Sequence, residues 1–143
     1  MNQDSIKLLK ECNAGCKSAT NSMEQVNDFL EEGELKKIIK TYNQKHIDLG
    51  EECHKKLNEE KEEEKDPNPV SKMFAWMGTE MKMMINDDEK KIAELMVDGC
   101  NMGIKSLSQY LNQYSDAEQN IKDIARKLIQ IEFDFMKDLL QYL

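Results

Sequence analysis

Residues 34–62, ELKKIIKTYNQKHIDLGEECHKKLNEEKE, decide the fold. Leu35, Ile38, Tyr42, His46, Leu49, Cys53 and Leu57 recur at spacings of three and four, which places them on one face of a single long helix. At about 100° per residue, His46 projects about 30° from the centre of that apolar stripe. A titratable ring in such a seam needs a hydrogen-bond partner from another element. His54 falls about 110° off the stripe and reads as a surface residue.

On the N-terminal side, residues 5–31 read as a first helix, with Asp4 as a plausible N-cap. Its inward stripe is Leu9, Cys12, Cys16, Ala19, Thr20, Met23, Val26 and Leu30. Gly33 breaks the run and leaves a turn so short that the two helices must lie antiparallel. On the C-terminal side the charged run EEKEEEKD reads as a solvated end, and Asp66-Pro67-Asn68-Pro69 stops it. Residues 69–85 then form a methionine-rich crossover helix, with Asn68 as cap and Pro69 in the first turn. A third helix spans about 88–113, with Ile92, Leu95, Met96, Gly99, Gly103, Leu107 and Tyr110 inward. Gly99 and Gly103 sit one turn apart there and would let another backbone approach. Ser115-Asp116-Ala117-Glu118 reads as a capping box opening a fourth helix over 116–142. Its inner face carries Ile121, Ile124, Ala125, Leu128, Glu132, Phe135, Leu139 and Tyr142.

Short, long and short connections between four such helices predict an all-α, single-domain bundle over 1–143. A long crossover between the second and third helices favours the ferritin-like arrangement over simple up-down-up-down. The run SKMFAWMGTEMKMMINDDEKKIAELMVDGCNMGIKSLSQYLNQY, followed by ARKLIQIEFDFMKDLLQYL, resembles a bacterial ferritin-like four-helix-bundle family of unknown function. The resemblance reaches, more weakly, over the first two helices. It implies the fold and no activity.

Composition narrows the function classes. The chain has 143 residues and carries 20 Lys and Arg against 28 Asp and Glu, a net charge of −8. That acidic balance, with no basic cluster, argues against nucleic acid as a partner. No uncharged run approaches the roughly 20 residues of a membrane span. The opening MNQDSIKLLKEC lacks the basic and apolar regions of a secretion signal, so the expected location is cytoplasmic. Cys12, Cys16, Cys53 and Cys100 fit no zinc-ribbon or CxxC spacing and read as small buried hydrophobes. No catalytic triad, phosphate loop or close acidic pair marks an enzyme.

Counting 1.5 Å per residue from the helix ends puts His46 about 18 Å below the top of the bundle and Glu132 about 15 Å below it. The two are therefore expected to meet. They read either as a buried hydrogen-bonded pair or as the core of a mononuclear metal site, with Cys16 and Cys100 as further ligands for zinc or iron. A di-iron centre is not expected. Asn43-x-x-His46 has asparagine in the glutamate position, and Glu132-x-x-Phe135 has phenylalanine in the histidine position. No resident cofactor is expected. The leading expectation is a non-catalytic bundle acting by binding or self-association. A homodimer would form through residues 70–85, where Met73, Phe74, Trp76, Met77, Met81 and Met84 spread round the helix more widely than one packing face.

Overall fold

The computed structural model describes residues 1–65 and 89–143. Those residues form four α-helices and no strand: α1 (Gln3–Asn27), α2 (Glu34–Glu59), α3 (Glu89–Gln113) and α4 (Gln119–Leu139). A 3₁₀ turn, Leu140–Tyr142, follows α4. The crossover helix expected over 69–85 and the interface on Met73, Phe74, Trp76, Met77, Met81 and Met84 lie outside the described residues.

The helix ends differ from the expected ones, and each difference has a local cause. Asn2, rather than Asp4, caps α1: its side-chain oxygen accepts from the Ser5 N–H at 2.8 Å. Asp4 instead accepts from the Asp116 N–H at 3.1 Å. The expected capping box before α4 does not form. Glu118 is the N-cap without a side-chain cap bond, and its own N–H is taken by Ser5 Oγ at 2.7 Å. A long-range partner has replaced a local one, a choice that local pattern reading cannot see.

Helix α2 closes at Glu59 rather than running to 62, because Lys61 turns into the left-handed region at φ 56°. Its N–H bonds Asn58 O at 3.0 Å and the Glu62 N–H bonds Leu57 O at 2.9 Å. That pair of bonds is the Schellman stop, formed here on a lysine instead of the usual glycine. The chain then returns along α1. Lys10 holds Glu62 at 3.0 Å, Glu64 is gripped by Lys17 and His54, and Lys65 pairs with the buried Glu11.

These contacts fix the helix directions. The starts of α1 and α4 lie together, beside the ends of α2 and α3. Tyr142 marks the opposite end, where burial and then the Glu89 and Glu34 carboxylates hold its phenol above the usual value. Helix α1 packs on α2, α3 and α4, whereas α2 and α3 hardly touch. The core runs the length of the bundle, from Leu8, Leu57 and Ile121 to Leu35, Ile92 and Leu139. Most of the expected stripes point inward. On α2, however, Ile39 is buried where Ile38 was expected, and Ile38 is half-buried.

Candidate functional site

The expected meeting of His46 and Glu132 takes place, midway along the bundle. Three turns of apolar stripe carry His46 to zero exposure on α2. Its Nδ1 lies 2.6 Å from the Tyr42 carbonyl, and its Nε2 faces Glu132 Oε1. Tyr42 is itself pinned to α4: its ring stacks on Phe135 at 4.8 Å and its hydroxyl donates to Asp138 at 2.6 Å. The carbonyl that orients the imidazole is therefore anchored to the helix that carries Glu132.

Both ring nitrogens face acceptors. The Tyr42 carbonyl can only accept, so Nδ1 must donate. Nε2 can then meet an ionised Glu132 only as a second donor, which is the imidazolium. Burial pushes the His46 pKa down, but the Glu132 carboxylate and the Tyr42 carbonyl outweigh it, and the group titrates above the ordinary histidine value. The pair is thus a buried, charge-assisted hydrogen bond.

Of the two cysteines expected beside it, Cys100 arrives from α3 and lines the same cavity as Glu132. Burial, then the neighbouring Glu132 carboxylate, drives the Cys100 thiol far above its ordinary pKa. Cys16 lies instead in the α1–α2 seam near Cys12 and Cys53, with its Cβ 3.2 Å from the position a Cβ on Gly50 would take. All four cysteines are free and buried. Burial raises Cys12 and Cys16 and pushes Cys53 up to about 12, so these thiols stay protonated. Among the described residues no group of three or more His, Cys, Asp and Glu side chains is arranged to hold a metal ion. His54 sits on the surface, as expected, and its ring nitrogen pairs with Glu64.

Sequence reasoning missed the space above the pair. A cavity of about 90 Å³ opens between α1 and α3, with His46, Glu132, Leu128 and Phe135 at its floor. Small residues line much of its walls, Ala14, Gly15, Ser18 and Ser22 from α1 and Gly99, Gly103 and Ser106 from α3, with Met23, Met96, Leu107 and Tyr110 beside them. Gly103 does not admit a neighbouring backbone, the role expected for it; a Cβ there would meet Glu132 Cδ at 3.5 Å and Oε2 at 3.6 Å. The available signal was the spacing of Ala14, Ser18 and Ser22, a four-residue repeat of small residues on a second face of α1. A shallower hollow of about 320 Å³ lies on the outer α1–α2 seam, lined by Asn13, Lys17, Gly50 and Glu51 among others.

The arrangement is a mostly apolar slot ending on the His46–Glu132 pair, with the Cys100 thiol beside it held protonated. No protein-family model, no curated protein and no solved structure matches the chain.

Proposed function

We propose that the protein is a non-catalytic, ferritin-like helical bundle that acts by binding, with the cavity between α1 and α3 as its site. The observation that carries this reading is the cavity itself. Small residues of α1 and α3 leave it open among the larger Met23, Met96, Leu107 and Leu128, and the buried His46–Glu132 pair lies at its floor. Protein interiors rarely keep such space, and every methylene left out of a core costs stability. Apolar space ending on a few convergent polar groups is the usual build of a small-molecule site.

The ferritin-like part of the reading is supported by helix direction. Helices α1 and α4 start at one end and α2 and α3 at the other, with the parallel pair α2 and α3 hardly in contact. Self-association through residues 70–85 rests on their composition, and sedimentation velocity at tens of micromolar protein tests it: a dimer supports it and a monomer removes it.

Binding is tested by titrating thiophene, a small apolar ring, into ¹⁵N-labelled protein. Amide shifts should cluster around Gly15, Gly103, Leu128 and Glu132. Shifts spread over the surface instead would reject the cavity as a site.

A further inference from the structure

We infer that the cavity's occupant is a small, mostly apolar molecule bearing one N–H or O–H donor, which it gives to Glu132. This rests on the reading of the cavity as a binding site. The cavity argues for small size and an apolar body: it holds about 90 Å³, and Met23, Met96, Leu107, Leu128 and Phe135 are in its lining. The floor argues for the donor. A carboxylate offers about four lone-pair sites. His46 Nε2 takes one on Oε1. The Glu132 side chain keeps 9% exposure, and it lines the cavity. Gly103 faces that carboxylate: a Cβ on it would lie 3.6 Å from Oε2, so the missing side chain leaves the approach to Oε2 uncovered.

A molecule carrying its own carboxylate would meet Glu132 as a like charge in a dry site and is disfavoured. A purely apolar molecule would strip residual water from Glu132 and return nothing. A donor on a small ring satisfies both the walls and the floor.

Pyrrole and thiophene make the test, since both are flat five-membered rings and only pyrrole has an N–H. Thiophene is the more hydrophobic, so burial alone ranks it first. The inference predicts the reverse order, with pyrrole binding about tenfold tighter, roughly the worth of one hydrogen bond to a charged acceptor. Gly103→Ala provides the second arm. The added methyl would sit in ordinary contact with Glu132, and alanine is the better helix former, so the variant folds. It should nevertheless lose at least tenfold in pyrrole affinity, because the methyl covers the approach to Oε2. Equal binding of the two rings, or tighter thiophene, overturns the donor requirement and leaves the cavity reading standing. Undiminished pyrrole affinity in Gly103→Ala also overturns it. If neither ring binds, both readings fall.

Discussion

At the residue scale the pair of His46 and Glu132 is the costliest feature to disturb. Glu132→Ala strands a buried imidazole facing no acceptor and should cost about 2–4 kcal/mol in denaturant melts. Glu132→Gln keeps an acceptor oxygen for Nε2 and should cost less. Equal losses for the two variants would mean that the pairing contributes nothing specific. The same pair sets a pH dependence. The folded His46 pKa lies above its unfolded value of about 6.5, so the unfolded chain releases that proton first as pH rises. The stabilisation is complete below about pH 6.5 and is lost as pH climbs through the folded value. Wild-type unfolding free energy should therefore fall as pH rises above about 6.5. His46→Gln should flatten that slope, and an unchanged slope would assign the effect to other groups. This meeting was legible in the sequence. A helix rises by a constant amount per residue, so two polar groups on two apolar stripes could be matched by depth alone. Cys100 was legible for the same reason.

Helix ends and faces were less legible. Stripe reasoning assigns each helix one buried face, yet α1 touches all three other helices, and Glu11, Asn13, Ser18 and Ser22 are buried off its predicted stripe. Small and polar residues at those positions look like a solvated face when a single stripe is assumed. That is why the cavity walls escaped notice. Caps failed for a related reason: Ser5 and Asp4 serve the turn before α4, more than a hundred positions away in the chain, and local pattern has no access to such partners. The Schellman stop at Lys61 was equally invisible, because lysine is rarely chosen for a left-handed position. It yields a prediction at this scale. Lys61→Gly removes the steric cost of φ 56° and should stabilise the protein by about 0.5–1 kcal/mol. Since Lys61 has an exposed side chain, the gain should survive high salt. A loss of stability in thermal melts would show that the turn is not held as described.

At the scale of the whole molecule, the described residues form an all-helical bundle, and no helix among them is long and apolar enough to cross a membrane. Its architecture followed from helical periodicity, two short turns and the charge distribution, all of which depend on sequence alone. Empty space does not. A cavity is the absence of side chains from several helices at one level, and it becomes visible only when the register of α1 against α3 is known. The ion pairs of Glu62, Glu64 and Lys65 lie along α1 and keep the chain after α2 against the bundle. Each half-exposed pair is worth at most about 1 kcal/mol, so they contribute to register more than to stability. The central claim is that the space above His46 and Glu132 is real and open to a small guest. A crystal of the protein pressurised with xenon tests it most directly, because xenon enters apolar cavities of this kind. The account predicts a single strong xenon peak bounded by Gly15, Gly103, Leu128 and Glu132. A crystal in which side chains fill that volume and no xenon enters it would contradict the account.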